Sequence, residues 1–132
     1  MHASLWNVGI KVEDIRADAE FYVALGGRLL LHEFLSIAGG GAEYALVEFG
    51  GTRLFLTTKP IFEDRLVKPP PAGLTHAVFE VADVDREVER LNALGTEGLI
   101  PPVDITAGFG SRRIAFLRSP GGLIFEVMQI MA

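Results

Sequence analysis

Apolar and polar positions along this chain fall into the same order twice. Residues 4–12 are rich in apolar and β-branched side chains and predict a strand. Asp14 then offers a helix N-cap, with Asp18 and Glu20 placing negative charge near the positive helix end. The helix runs to about Leu25, where Gly26-Gly27 stops it as a left-handed cap would. Arg28–Leu35 is a strongly apolar run with His32 and Glu33 inside, and it predicts another strand. Gly39-Gly40-Gly41 predicts a turn. Ala42–Phe49 and Thr52–Thr58 flank Gly50-Gly51, the pattern of a β-hairpin with a two-residue loop.

The order then recurs. Leu74–Val81 predicts a strand, and Asp83 caps a helix whose apolar stripe is Val84, Val88, Leu91 and Leu94. Gly95 ends that helix. Pro101-Pro102 interrupt the next extended segment, and Gly108-Phe109-Gly110 predicts a mobile loop, with glycines in the stretch from Asp104 to Gly110 that would permit closure over a ligand. Arg112–Arg118 and Leu123–Met131 flank a turn at Ser119-Pro120-Gly121-Gly122. Asn7 and His76, Asp14 and Asp83, and Gly26 and Gly95 are each separated by 69 residues, and Gly50 and Gly121 by 71. Two copies of one strand–helix–three-strand unit are therefore joined in one α+β domain. Module one covers about 4–58 and module two about 73–131. The linker, about 59–72, holds Pro60, Pro69, Pro70 and Pro71 and is too proline-rich for a regular element. A single copy would leave one sheet face bare, and two copies can bury those faces around a shared concavity.

Composition narrows the functional classes. The 132 residues suffice for one domain with a substantial core, and nearly half are apolar. A net charge of −5 argues against a nucleic-acid backbone as partner. The absence of cysteine excludes disulfides, thiolate metal sites and a thiol nucleophile. Neither a signal peptide nor a membrane-length apolar run is visible, so the expected location is the cytoplasm.

Three stretches, Asn7-Val-Gly-Ile-Lys-Val-Glu-Asp14, Gly73-Leu-Thr-His76-Ala-Val-Phe-Glu-Val81 and Ser119-Pro-Gly-Gly-Leu-Ile-Phe-Glu126-Val127, resemble the vicinal oxygen chelate superfamily in order and spacing. That superfamily includes glyoxalase I, bleomycin-resistance proteins, methylmalonyl-CoA epimerase and extradiol dioxygenases. The resemblance spans nearly the whole chain. It implies two βαβββ modules forming a curved, partly open glyoxalase-like barrel, commonly in a homodimer. It also implies a small-molecule ligand or substrate, and in metal-dependent members a divalent ion between the modules. The ligand places carry over to Asn7, Phe55, His76 and Glu126. Phe55 departs from the pattern because phenylalanine cannot coordinate, and asparagine offers only a neutral carbonyl oxygen.

Four readings of these residues stay open. His76 and Glu126, with Asn7 as a weak third ligand, could hold one divalent metal. Thr57, two residues along the same strand face as Phe55, is a poor substitute ligand. His32, Glu33 and Glu43 would enter the site only if the strand register were shifted by one. Metal-free, His76 and Glu126 could transfer protons beside a carbonyl, as in a lyase or isomerase, with Asn7, Phe55 and Thr57 contacting a largely apolar substrate. Without chemistry, the cavity could hold a bulky apolar guest, as bleomycin-resistance relatives do, with Trp6, Phe34, Tyr44, Phe49 and Phe109 as walls. Last, a structural His–Glu contact could survive from a decayed metal centre.

The remaining polar residues carry less. His2 is terminal. Alternation sends Arg112 and Arg118 to the face of Ile114 and Phe116 and Arg113 to the other. An anion clamp competes there with solvated edge charges. Gly39–Gly41 lacks the lysine and helix of a phosphate loop, and Ser111 and Ser119 have no nucleophile-elbow context.

Overall fold

Each copy folds as a strand, a helix and three further strands. The computed structural model describes residues 2–37 and 40–132. The first copy comprises β1 (Ser4–Lys11), α1 (Ile15–Ala24), β2 (Arg28–Ile37), β3 (Gly40–Phe49) and β4 (Thr52–Thr57). The second comprises β5 (Gly73–Glu80), α2 (Val84–Ala93), β6 (Glu97–Ala107), β7 (Gly110–Arg118) and β8 (Ile124–Ile130). By contact the chain divides into two compact units, residues 7–75 and residues 2–6 with 76–132.

Within the first unit the strand order is β2-β3-β4-β1, and within the second β6-β7-β8-β5. β1 pairs with β4 in parallel, as β5 does with β8, and the other neighbours are antiparallel. Gly9 lies opposite Phe55, and Val78 opposite Glu126. The two pairings are the same register position, because Val78 repeats Gly9 and Glu126 repeats Phe55 at the offsets read from the sequence.

The helices cover one face of each sheet. Val12, Ile15, Ala19, Ala45, Val47 and Leu56 form the first core, and Val81, Val84, Ala115, Leu117, Phe125 and Val127 the second. Each fully buried Val or Leu side chain contributes about 2 kcal/mol. Period-2 alternation then sends Asn7, Phe55, Thr57 and Tyr44 to the face away from α1, and His76, Glu126, Met128, Ile114 and Phe116 to the face away from α2.

Asp14 accepts from the Ala17 N–H at 3.0 Å and Asp83 from the Arg86 N–H at 3.1 Å, so both predicted caps form. Gly50 and Gly51, at φ +61° and +76°, make the two-residue hairpin turn that only glycine enters freely.

Several expectations change. Of the turn expected at Gly39–Gly41, Gly39 lies outside the described residues, and Gly40 and Gly41 already belong to β3. The loop expected from Asp104 to Gly110 is a regular hairpin. Asp104 pairs with Arg113 and Ala107 with Gly110, which leaves Gly108 and Phe109 as a two-residue turn and not a lid. Pro101 and Pro102 do not end β6. It is the terminal strand of its sheet, where missing N–H donors are tolerated, and its register shifts between Ile100 and Val103. The linker contains a 3-10 turn, Glu63–Arg65, and packs with the first unit. Leu94, placed on the apolar stripe of α2, follows the helix end and is 66% exposed.

Candidate functional site

In the second unit β5 and β8 run side by side, and their alternation brings His76 and Glu126 to one face. Glu126 lies directly across from Val78, two residues beyond His76 on the same side of β5, and across from Phe116 of β7. Met128, opposite Ile114, continues that apolar surface. The Phe116 ring meets the His76 imidazole edge-on, with centroids 5.4 Å apart. Phe116 was missed as a site residue. Alternation gave its face, but only the β7–β8 register puts it beside Glu126.

These surroundings decide the charge of both groups. His76 is 7% exposed. Burial disfavours the imidazolium and lowers its pKa from 6.5 to about 4. Glu126 is partly covered, and desolvation of its carboxyl raises its pKa from 4.5 to about 8. No hydrogen bond or ion pair reaches the Glu126 side chain among the described residues. The sequence suggested His76 as the partner of a charged glutamate; instead the carboxyl holds its proton at neutral pH. The face thus presents a neutral imidazole and a mostly neutral carboxylic acid among Val78, Ile114, Phe116 and Met128.

In the first unit the matched positions differ. Asn7 is 4% exposed and its Oδ1 accepts no hydrogen bond among the described residues. Phe55 stacks on Tyr44, with ring centroids 4.7 Å apart and planes 11° from parallel. Tyr44 is fully buried, and its hydroxyl donates to Glu33. The Thr57 hydroxyl donates to the Glu43 carbonyl at 3.1 Å. Glu33 therefore belongs to the face of Phe55 and Thr57, whereas His32 and the Glu43 carboxyl lie on the helix side and bond each other at 2.8 Å. Sequence reasoning admitted Glu33 to the site only under a one-residue register shift, because the irregularity between Leu29 and Leu31 obscures which way β2 alternates.

The arginines separate as alternation predicts. Arg113 forks onto Asp85 at 2.7 and 2.9 Å and reaches Asp104 at 2.9 Å on the α2 side. Its guanidinium holds the Asp85 carboxyl below the usual range. Arg112 is buried. It donates to the Ser111 and Phe109 carbonyls at 2.9 and 2.7 Å and lies over the Trp6 and Phe109 rings. Trp6 and Phe109 meet at 5.3 Å, so both are walls of the second unit.

The donor set does not fit a resident divalent ion. The second unit offers one imidazole and one carboxyl. Phe55 puts a phenyl ring at a ligand place, and no group of three His, Asp or Glu side chains comes together among the described residues. Catalytic sites of this type hold about three protein ligands.

A family model described as the Glyoxalase/Bleomycin resistance protein/Dioxygenase superfamily matches residues 5–127. Among solved structures, a hypothetical protein from Bacillus halodurans is 21% identical, with a TM-score of 0.74, covering 100% of this chain and 97% of the other. A methylmalonyl-CoA epimerase from Mycobacterium tuberculosis is 23% identical, with a TM-score of 0.72, covering 97% and 88%. A mutant of 4-hydroxymandelate synthase from Streptomyces coelicolor is 20% identical, with a TM-score of 0.67, covering 96% of this chain and 48% of the synthase. At these identities the structural likeness speaks for the fold. A search of curated proteins finds no significant match. No helix among the described residues is long and apolar enough to cross a membrane.

Proposed function

We propose that this chain, which belongs to the Glyoxalase/Bleomycin resistance protein/Dioxygenase superfamily, is a small-molecule enzyme that moves a proton next to a carbonyl group. Its reaction is an isomerisation or a related lyase step on a largely apolar organic substrate. The observation that carries this reading is the pairing of His76 and Glu126 on one apolar sheet face, each pushed from its ordinary protonation range. Such perturbation marks sites of acid–base work.

The roles follow from the pKa directions. A base serves best with a pKa near the working pH. Glu126, at about 8, meets that condition once ionised. His76, at about 4, stays neutral across the physiological range and acts as a hydrogen-bond donor. The Glu126 carboxylate takes the proton from the carbon beside the carbonyl. The electron pair moves to the carbonyl oxygen, where the neutral imidazole N–H stabilises the enolate. Return of the proton from Glu126 to a different carbon of the conjugated enolate completes the isomerisation, return to the same carbon gives exchange alone, and either outcome leaves both groups as they began. The apolar neighbours exclude water that would quench the carbanion.

A non-catalytic binding role is the second reading, favoured by the stacked, uncharged Phe55–Tyr44 pair at a position the superfamily resemblance assigns to a ligand. One assay separates the two. The protein is incubated in deuterated water with a panel of acyl thioesters and 1,2-dicarbonyl compounds, methylmalonyl-CoA among them because a structural relative was solved with it. Exchange at the carbon beside the carbonyl is followed by proton NMR. One or more compounds should exchange, and Glu126→Gln should slow that exchange about 100-fold or more. Binding of a compound with no exchange and no product would leave the binding role standing alone. Metal analysis of protein purified without chelator checks the donor-set argument, since stoichiometric metal that His76→Ala removes would restore the metal reading.

A further inference from the structure

The space between helix and terminal strand is treated differently in the two units. In the second, Arg113 of β7 binds Asp85 of α2 at 2.7 and 2.9 Å and Asp104 of β6 at 2.9 Å, so one guanidinium ties the helix to the edge strand. The sequence offsets and the strand pairings put Arg16, Glu43 and Phe34 at the positions of Asp85, Arg113 and Asp104. The charges are exchanged, and the tie is not made. Glu43 bonds His32 instead, at 2.8 Å. The Arg16 side chain forms no ion pair or hydrogen bond among the described residues.

A groove of about 470 Å³ therefore lies open between α1 and β2, on the helix side of the first unit's sheet. Small-molecule sites measure roughly 300–1,000 Å³. Two charged side chains enter it. Arg16 and Glu20 lie one helical turn apart on the same side of α1, and neither pairs with the other or with a further described residue. With the acid C-terminal to the base, theirs is the less favourable order for a pair at this spacing. One turn further on, Val23 and Ala24 meet Leu29 of β2 in an apolar wall, with Val23 46% and Leu29 45% exposed. His32, held by Glu43, stands on the strand side.

We propose that this groove binds a free apolar α-amino acid. Its carboxylate lies on Arg16, its ammonium on Glu20, and its side chain against Val23, Ala24 and Leu29. Charge decides the class. A lone carboxylate gains Arg16 but meets the like charge of Glu20, and a lone amine gains Glu20 but meets Arg16. A zwitterion satisfies both. Position along the helix sets the orientation, because the charges stand on its first two turns and the apolar surface on its third. A peptide does not match, since its ammonium and carboxylate sit on different residues. The site shares no residue with the proton-transfer reading.

The test titrates the full chain with 4-fluoro-L-phenylalanine, read by fluorine NMR. Two further probes each lack one charge: 3-(4-fluorophenyl)propanoate and 2-(4-fluorophenyl)ethylamine. The amino acid should bind about fivefold more tightly than either, the size of one exposed charge contact. Glu20→Gln should weaken the amino acid about fivefold and erase its advantage over the propanoate, and Arg16→Gln should erase its advantage over the amine. Both positions are exposed, so both variants should keep the parent's stability. Ala24→Trp fills the apolar wall and should end binding of all three probes. Equal affinity for the three would overturn the proposal. So would binding that Arg16→Gln and Glu20→Gln leave unchanged, or no binding at millimolar probe. Should Ala24→Trp not fold, the two glutamine variants decide. His76→Ala should leave these results unchanged, so failure here is separable from failure of the proton-transfer reading.

Discussion

The two units place opposite chemistry at one register position. Opposite Gly9 stands a phenyl ring stacked on Tyr44, and opposite the matching Val78 stands a carboxyl among Phe116, Met128 and Ile114. The neighbouring position holds Asn7 in one and His76 in the other. Strand order, pairing directions and helix caps are shared, and the side chains at these matched positions are not. The first unit spends this face on packing, with Tyr44 fully buried and the linker laid across it. The second keeps two titratable groups there, held neutral by burial. A repeated scaffold thus separates stability from chemistry, and exchanging matched residues should exchange those properties.

The largest effect is expected from putting the second unit's residue into the first. Phe55→Glu removes the ring stacked on Tyr44 and introduces a carboxylate at a half-buried position beside the linker. Loss of aromatic packing and burial of an unpaired charge should together cost about 3 kcal/mol. Urea unfolding at pH 7 measures it, and the cost should shrink at pH 4, where the new carboxyl is protonated. A variant as stable as the parent at both values would mean that this face is wet.

The reverse exchange, Glu126→Phe, should abolish the proposed exchange activity and yet stabilise the protein in alkali. Glu126 has a folded pKa of about 8 against 4.5 unfolded. Its raised pKa gives stability that is fully present below about pH 4.5 and is lost as pH rises through 8. His76, lowered to about 4 from 6.5, works the other way: its contribution is present above 6.5 and lost as pH falls through 4. At pH 9 the variant should exceed the parent by about 2 kcal/mol, an advantage that fades toward pH 5. Thermal or urea midpoints across pH 4–9 give both limbs. A difference that does not change with pH would show that the Glu126 carboxyl is solvated.

How much of this contrast the sequence disclosed depends on how local each signal is. Caps at Asp14 and Asp83 and the Gly50-Gly51 hairpin were legible because each rests on a few adjacent residues. The positions of His76 and Glu126 were legible through the repeat, which carries strand register without coordinates. The linker was not, because its prolines exclude strand and helix but say nothing about packing. Only the fold brings Glu63 to Lys11, 52 residues away. Gly108-Phe109-Gly110 reads equally as a mobile loop or a tight turn until Ala107 is seen opposite Gly110. Glu33 needed the register of β2, which an irregularity hides, and the neutral state of Glu126 needed the neighbours supplied by β5 and β7.

The smallest expected effect tests whether the scaffold itself is equal in the two halves. Asp14 and Asp83 cap α1 and α2 with nearly the same backbone, φ −138° and ψ 107° against φ −151° and ψ 105°. Each accepts from the N–H three residues on, and replacement of such a cap by alanine costs about 1 kcal/mol. The second helix has one extra tie, since the Val84 N–H donates to Gln129 Oε1 at 3.0 Å and leaves one fewer orphan donor at its start. That bond does not involve Asp83, so Asp14→Ala and Asp83→Ala should lower stability alike, to within about 0.5 kcal/mol. Chemical denaturation of the two variants side by side measures it. A much larger loss for one would mean that its helix start depends more on the cap than the other does, and that the halves share an outline but not their energetics.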